Sequence, residues 1–325
     1  MKNTDSKHTD IKAALSHSQG GFFIERGMVM LNEIFESFWK TVKKSDDKRL
    51  SVQKIPSGVT ESNNHYYIND GSEWHALDVY YPDNAAGKLP VIIDIHGGGW
   101  MYGSKELNKN YCLALAQRGY VVFNMSYRLV PDVIMADQLH DVSMAFRWIY
   151  KNMDEFPCDT DNIFLTGDSA GGQLAAFSAV ISDCAELRRA FCFAESRLRF
   201  NAIGLTSPVA FLEPKGAMGV YFRKVVGETY KFKKYAKCLD LDKILEIGSI
   251  PPTYLVTSSG DSIGRKPTLK AYDCIRSKGV DVELSDWGKT NGKELPHVFA
   301  VLEPLSEEGA EEISNMLEFF AKHTK

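Results

Sequence analysis

The chain has 325 residues, of which 44% are hydrophobic and 25% charged, and it carries a formal net charge of −4. These values are ordinary for a soluble globular protein of one or two domains, and the small negative charge gives no overall signature of binding to nucleic acid or to an anionic membrane. No apolar run is long enough to span a bilayer, and the first twenty residues lack the apolar core of a secretory signal, so we expect a cytoplasmic protein.

Cysteines and histidines give no sign of a metal site. The six cysteines are scattered and form no C-x-x-C pair, which argues against a zinc site or a thioredoxin-like motif and favours reduced, mostly buried thiols. Most histidines stand alone, without the spacing that metal ligands show. We therefore predict no metal and no cofactor.

Apolar and β-branched residues divide the chain into helices and strands. An amphipathic helix is predicted at 22–42, where apolar residues recur at helical spacing. Strand patterns follow at HALDVYYP, LPVIIDI, YVVFNMSY, NIFLTG, AIGLTSPVA, PPTYLVTSS and VDVELSDW. Helical patterns lie between them at 106–118, at 135–152 and from 170, and the last helix is predicted to begin at 306.

This alternation predicts an α/β fold with a central, mostly parallel sheet and helices on both of its faces. In such sheets, catalytic and ligand-binding groups gather in the loops at the carboxyl ends of the strands. The motifs described next all fall in such loops, which is the main structural argument for assigning them a function.

Two segments match G-x-S-x-G, one around Ser169 in TGDSAGG and one around Ser262 in GDSIG. Ser169 follows a compact apolar strand and opens a run of small residues and helix formers, which is the strand–turn–helix setting of a nucleophile elbow. Ser262 is followed by Arg-Lys-Pro, and no immediate helix is expected there. We predict that Ser169 is the nucleophile. The alternative, a phosphate-binding turn, lacks the G-K-[S/T] pattern.

A serine hydroxyl needs a base to take its proton and a third group to orient that base. Asp261 ends the PPTYLVTSS strand, and His297 follows the last strand in the segment LPHVF, so the order Ser, Asp, His is that of a nucleophile elbow. We predict Asp261 as the orienting carboxylate and His297 as the base. The alternatives are a solvated turn aspartate and a packing histidine.

Three glycines in HGGGW follow directly on the strand LPVIIDI. Glycines allow backbone amides to turn inward and approach a ligand closely. We predict an oxyanion hole formed by the amides of Gly98 and Gly99, with the amide of Ala170 as a third donor. The alternative is a plain glycine turn. His96, in the same loop, is interpreted as shaping the loop by hydrogen bonding.

In this order, HGGGW, SYRLVPD, TGDSAGG, the strand that ends at Asp261 and PHVF resemble the hormone-sensitive-lipase-like branch of the α/β-hydrolase esterases over residues 75–325. The resemblance implies the same roles for the residues named above. It also implies N-terminal cap helices in residues 1–50 and a catalytic domain at 51–325 with a cap insertion at about 211–247. Two departures stand out: Ser-Ile-Gly follows Asp261 where the family usually has Pro-Leu-x-Asp, and Val298 stands where Gly is common.

The expected function is a serine carboxylic-ester hydrolase that acts through an acyl-enzyme on small to medium acyl esters. An amidase or peptidase, an aryl formamidase and a non-catalytic small-molecule receptor are the alternatives. Trp100, Tyr102 and Tyr127 are candidates for lining the substrate pocket, with core packing as the alternative for each. The expected partner is a small-molecule ester, without nucleic acid or a membrane span, and assembly into a homo-oligomer is left open.

Overall fold

The computed structural model describes residues 19–212, 216–290 and 292–325. The chain divides into two compact units, Met1–Gln53 and Lys54–Lys325. In the first unit the structure describes helix α1, Gln19–Val52, which includes the predicted helix at 22–42 and extends past both of its ends. The role of residues 1–50 as part of a cap stays a prediction.

The second unit is built on a sheet in which the described residues form eight strands. They are β1 (Val59–Tyr66), β2 (Ala76–Pro82), β3 (Leu89–Ile95), β4 (Val121–Met125), β5 (Cys158–Asp168), β6 (Ala202–Thr206), β7 (Thr253–Ser258) and β8 (Val282–Trp287). Their order across the sheet is β1-β2-β4-β3-β5-β6-β7-β8. The β1–β2 and β2–β4 pairs are antiparallel and all other neighbours are parallel, so the prediction of a mostly parallel sheet is confirmed.

Helices connect the strands. They are α2 (Lys109–Ala116), α3 (Met135–Asn152), α4 (Ser169–Asp183), α5 (Ala185–Phe191), α6 (Gly216–Val226), α7 (Leu241–Ile244), α8 (Arg265–Ser277), α9 (Phe299–Leu302) and α10 (Glu307–Lys322). The last of these begins where the sequence predicted it, because the Ser306 hydroxyl accepts a hydrogen bond from the Gly309 amide and caps the helix. None of the helices in the described part of the chain is long and apolar enough to cross a membrane.

The central strands are apolar on both faces because helices cover both. On one face, Ile92 and Phe164 pack with residues of α2 and α10 in a single buried cluster. The rings of Phe164 and Phe320 stack there with their centroids 4.5 Å apart. Side chains that alternate with these along the strands, such as Ile93 and Leu165, are fully buried on the opposite face, where α4 packs against the sheet.

Strand β1 and the start of α8 are among the elements that differ from the sequence-based expectations. Strand β1, VTESNNHY, was not predicted, because it is an edge strand of mostly polar residues, none of them buried, and has no apolar pattern. The expectation that no helix follows Ser262 directly was wrong, since α8 begins at Arg265. Pro267 is tolerated near the start of α8 because first-turn amides have no partner within the helix.

The predicted insertion at 211–247 lies between β6 and β7. Its described part holds α6, a short 3-10 turn at Tyr230–Phe232, and α7. Several apolar residues of the insertion are buried, among them Val225, Val226 and Leu241. That this insertion works as a cap over the site stays a prediction.

The turn between β5 and α4 is packed directly against the end of β3. A Cβ atom at Gly171 would collide with the carbonyl oxygens of Ile95 and His96, and one at Gly167 would lie 2.6 Å from the carbonyl oxygen of Gly171. Both glycines of the G-x-S-x-G motif are therefore required by close backbone approach, as a nucleophile elbow needs.

We expect Gly171→Ala to lower the free energy of unfolding by about 1–3 kcal/mol or more, measured by urea denaturation, because the added methyl has backbone rather than a flexible side chain in its way. This loss should exceed the gain of about 1 kcal/mol that alanine brings to a helix interior. Gly288→Ala is the matched control, since a Cβ there meets nothing within 4 Å. Equal stability of the two variants would contradict the packing argument.

Candidate active site

Ser169 lies at the junction of β5 and α4, at the carboxyl end of a central strand. Its φ of +52° is in the left-handed region, which costs a non-glycine residue about 1–2 kcal/mol. The Ser169 carbonyl accepts a hydrogen bond from the amide of Val209, which helps to hold the backbone in this conformation. The strained turn presents the hydroxyl above the end of the sheet.

His297 bridges Ser169 and Asp261. Its Nδ1 lies 2.8 Å from Oδ1 of Asp261, and its Nε2 lies 2.9 Å from Oγ of Ser169. A charged carboxylate can only accept, so Nδ1 carries the proton in this pair and Nε2 is left as an acceptor that faces the serine hydroxyl. The three predicted side chains, from three separate strand ends, thus meet in one hydrogen-bonded row.

Asp261 is held by several donors in addition to His297. Its Oδ1 accepts from the amides of Ile263 at 3.0 Å and Gly264 at 2.6 Å, and its Oδ2 accepts from the Thr257 hydroxyl at 3.3 Å. Burial by itself would raise the pKa of Asp261, but hydrogen bonding and charge from His297, with further donors, lower that pKa to about 2. The carboxylate is therefore ionised at neutral pH.

The second G-x-S-x-G segment has a different use from the first. Its serine, Ser262, has an exposed side chain, and the two residues after it supply the amides that bind Asp261. A Cβ at Gly264 would lie 2.7 Å from Oδ2 of Asp261. This segment is thus a carboxylate-binding turn, and its glycine is needed for close approach.

One departure from the family pattern is Val298, which follows His297 where glycine is common. Its φ of +51° is left-handed, a conformation that suits glycine and is costly for a β-branched residue. The side chain is 7% exposed and belongs to the buried cluster under α10, while its carbonyl accepts from the amides of Val301 and Leu302. Packing and hydrogen bonds together hold the strained residue, and with it the position of His297.

The glycine loop after β3 carries the predicted oxyanion donors. Gly98 and Gly99 have φ of +110° and +56°, and a Cβ at Gly98 would collide with the Tyr102 carbonyl. The Gly98 carbonyl accepts from the amides of Met101 and Tyr102, so the loop folds back on itself. Within the described residues, the amides of Gly98 and Gly99 have no protein acceptor. The Ala170 amide lies in the first turn of α4, where helix amides have no intrahelical partner.

A buried network that the sequence did not reveal connects this loop to the serine turn. Asp168 Oδ1 accepts from the Gly97 amide and from Nδ2 of Asn108, both at 2.9 Å, and the same Asn108 nitrogen donates to Asp94. Burial raises the pKa of Asp168 to about 6, against the hydrogen bonds from Asn108 and Gly97. Burial also raises the pKa of Asp94. In the sequence, the only indication of this network is that Asp168 directly precedes Ser169 in the segment GDS.

His96 lies in the glycine loop and not in the triad. Its Nδ1 lies 2.7 Å from the Gly97 carbonyl, which can only accept, so Nδ1 is the donor. Its ring stacks on Tyr127 with centroids 4.3 Å apart. Complete burial lowers the pKa of His96 to about 4, so it is neutral at pH 7. These contacts support the interpretation of His96 as a residue that shapes the loop.

The three residues predicted to line the substrate pocket differ in how deeply they are buried. Trp100 is 2% exposed and donates from Nε1 to Gln173, and Tyr127 is fully buried and donates to the His96 carbonyl. Both sets of contacts favour the packing alternative. Tyr102 is half-buried beside the glycine loop. A role in lining the pocket stays a prediction for all three.

Tyr221 is a residue at this site that the sequence analysis missed. Its phenol on α6 donates to the Gly99 carbonyl at 2.5 Å. Its ring and that of Phe222 pack at tilted or edge-on angles near Trp100, with centroids 6.4 and 6.0 Å away. The insertion therefore contacts the peptide that follows the predicted oxyanion donors. No motif marks this tyrosine, so only the fold could show it.

The arrangement is suited to nucleophilic attack by a serine hydroxyl. It combines that hydroxyl, an imidazole within hydrogen-bond distance of it and an ionised carboxylate. The amides of Gly98 and Gly99 lie in the glycine loop and that of Ala170 lies in the serine turn. In the part of the chain that the structure describes, no group of three or more His, Cys, Asp or Glu residues could hold a metal ion.

The chain is similar to several known esterases. A family model described as BD-FAE matches residues 77–212. Isoprenylcysteine alpha-carbonyl methylesterase from Arabidopsis thaliana is 26% identical over 226 residues, which is 66% of this chain and 53% of that protein. Carboxylesterase NlhH from Mycobacterium tuberculosis is 33% identical over 114 residues, 35% of this chain and 36% of that protein. The matched part of the chain spans about half the length of the methylesterase and about a third of the length of the carboxylesterase.

Among solved structures, esterase B from Lactobacillus Rhamnosis is similar over almost its whole length. It is 30% identical, with a TM-score of 0.85, and the match covers 92% of this chain and 96% of that one. The chain therefore belongs to the esterases of the α/β-hydrolase fold.

Proposed function

We propose that this protein is a serine carboxylic-ester hydrolase in which Ser169, Asp261 and His297 form the catalytic triad. The observation that carries the proposal is the position of His297, within hydrogen-bond distance of both Ser169 and Asp261. The amides of Gly98, Gly99 and Ala170 form the oxyanion hole in this proposal. The carboxylesterase and methylesterase names of the relatives support the same reaction class.

In the proposed mechanism, Oγ of Ser169 attacks the ester carbonyl as its proton passes to Nε2 of His297. The carbonyl oxygen becomes an oxyanion that accepts hydrogen bonds from the three amides. The negative charge of Asp261 stabilises the imidazolium. Nε2 then gives its proton to the leaving alkoxide, and an acyl-enzyme remains. Water attacks the acyl-enzyme in the same way and releases the acid and the free serine.

Small to medium, fairly apolar acyl esters are the proposed substrates, with the 211–247 insertion acting as a cap over them. The same triad could cleave an amide or an aryl formamide, and a comparison of matched ester and anilide substrates separates these reactions. The cytoplasmic location, the lack of a nucleic-acid partner and the oligomeric state stay predictions.

Replacement of the nucleophile tests the mechanism directly. We expect Ser169→Ala to lower kcat for p-nitrophenyl acetate by about 10⁶ and to abolish labelling by a fluorophosphonate probe, with an unchanged circular dichroism spectrum. Ser262→Ala is the matched control, because it alters the serine of the second G-x-S-x-G segment and should keep full turnover. Retained turnover in Ser169→Ala would rule out the proposed mechanism.

The lowered pKa of Asp261 predicts a pH-dependent contribution to stability. A carboxyl with a pKa of about 2 in the folded state stabilises the fold above its unfolded pKa near 4, and this contribution is lost as the pH falls through about 2. We expect Asp261→Asn to lower the free energy of unfolding by about 2 kcal/mol at pH 7, and the difference from wild type to shrink as the pH falls below about 4.

Urea denaturation at neutral and acidic pH measures this difference. Asp132→Asn, at an exposed carboxyl, is the matched control for the change of charge. A difference between wild type and Asp261→Asn that stays constant across the pH range would show that the ionised carboxylate is not what His297 and the turn amides stabilise.

The contact between Tyr221 and Gly99 predicts that the insertion supports the oxyanion hole. Tyr221→Phe removes the donor but keeps the ring against Trp100, and we expect kcat to fall by about 2- to 12-fold with little change in KM, because one hydrogen bond is worth about 0.5–1.5 kcal/mol. Tyr235→Phe is the control, since the Tyr235 hydroxyl, in the same insertion, is buried without a partner in the described part of the structure. Equal kcat values for the two variants would contradict this role.

A further inference from the structure

The insertion carries an exposed basic surface that the triad and the glycine loop do not explain. We define the basic surface as Lys231, Phe232, Lys233, Lys234 and Lys237. All five side chains are exposed, and Phe232, at 91%, is the most exposed of the large hydrophobic residues in the described part of the chain. A phenylalanine this exposed has an unfavourable contact with water that docking would relieve.

The charge of this surface differs in sign from that of the whole protein. Residues 229–238 contain four lysines and no aspartate or glutamate, whereas the whole chain carries −4. In the described residues, none of these four lysines forms an ion pair with a carboxylate. The lysine charges are therefore available to an external anion, which is what distinguishes this surface from an ordinary solvated face of paired charges.

Backbone hydrogen bonds hold the basic surface in a defined turn. The Phe232 amide donates to the Thr229 carbonyl at 3.0 Å, and the Lys233 amide donates to the Tyr230 carbonyl at 2.9 Å. Directly after the turn, the buried ring of Tyr235 stacks on Phe191 with centroids 5.0 Å apart. The stacking of Tyr235 on Phe191 thus anchors the segment that follows the turn, while Phe232 is exposed to solvent.

An aromatic ring among unpaired lysines fits the boundary between lipid headgroups and acyl chains. Aromatic side chains enter this boundary, and lysines bind the anionic headgroups around it. Single-stranded nucleic acid would instead require several aromatic rings along a basic groove for successive bases. Of the three aromatic residues in and directly after this turn, Tyr230 is half-buried, Tyr235 is buried and only Phe232 is exposed, so the observations favour lipid.

We propose that the basic surface docks the protein on an anionic lipid bilayer, with Phe232 inserted and the four lysines against the headgroups. The surface belongs to the same insertion as Tyr221, which contacts the loop of the oxyanion donors. Docking therefore brings the insertion next to the phase in which apolar esters dissolve, a consequence for the substrate that rests on the proposed function.

The test is co-sedimentation of the full chain with vesicles of phosphatidylcholine, with and without phosphatidylglycerol. We expect binding only to vesicles that contain phosphatidylglycerol, and weaker binding as the salt concentration rises. Lys233→Gln and Lys234→Gln together should weaken binding by about 25-fold, from about fivefold for each lysine. Phe232→Ser should weaken it as well.

Two matched controls accompany these variants. Lys88→Gln alters an exposed lysine before β3, at the opposite end of the strand from the glycine loop, and Leu305→Ser alters another exposed apolar residue. Both should bind like wild type. Equal binding to both kinds of vesicle, or losses no larger than those of the controls, would overturn the proposal. Salt-dependent binding to an oligonucleotide instead of vesicles would indicate nucleic acid and overturn it too.

Turnover of p-nitrophenyl acetate is measured with the same wild-type samples, so that a failure of membrane docking can be distinguished from a failure of the proposed hydrolase function. Active protein that stays in the supernatant with anionic vesicles would refute the docking inference and leave the proposed function standing. Protein that sediments with those vesicles but has no turnover would support docking and refute the proposed function.

Discussion

The glycine loop after β3 and the serine elbow after β5 lie against each other with no space for a side chain between them. A Cβ at Gly97 would collide with Asp168, and one at Gly171 would collide with the backbone of Ile95 and His96. This contact brings the amides of the loop and the hydroxyl of Ser169 to the same end of the sheet. The proposed oxyanion hole depends on this contact, because hydrogen-bond donors stabilise the transition state only if they face the carbonyl oxygen of the ester that is attacked.

The environment of each aspartate around the site determines the pKa of its carboxyl group. Asp261 has His297 and several donors as partners, and its pKa is lowered to about 2. Asp168 is fully buried, has only neutral donors and lies near Asp94, and its pKa is raised to about 6. The first is thus suited to stabilising an imidazolium, and the second to joining the loop and the elbow by hydrogen bonds. The same residue type serves two purposes because its partners differ.

The insertion between β6 and β7 contributes residues both to contacts with the glycine loop and to the protein surface. Its inner side supplies the Tyr221 hydroxyl to the carbonyl of Gly99, and its outer side presents Phe232 and four lysines. The small net charge of the chain conceals this surface, since a sum over 325 residues says nothing about where the charges lie. The sequence shows the run of lysines, but only the structure shows that these lysines are exposed and have no carboxylate partner among the described residues.

By itself the sequence determined the class of fold, because buried parallel strands need continuous apolar runs, and it marked Ser169, Asp261, His297 and the glycine loop, because their chemistry requires particular residue types after those strands. It did not reveal β1, whose exposed edge needs no apolar pattern, or the start of α8. Only the tertiary structure decided which G-x-S-x-G segment binds the carboxylate and that Tyr221 supports the glycine loop. These depend on contacts between residues far apart in the chain, and the local sequence carries no record of such distances.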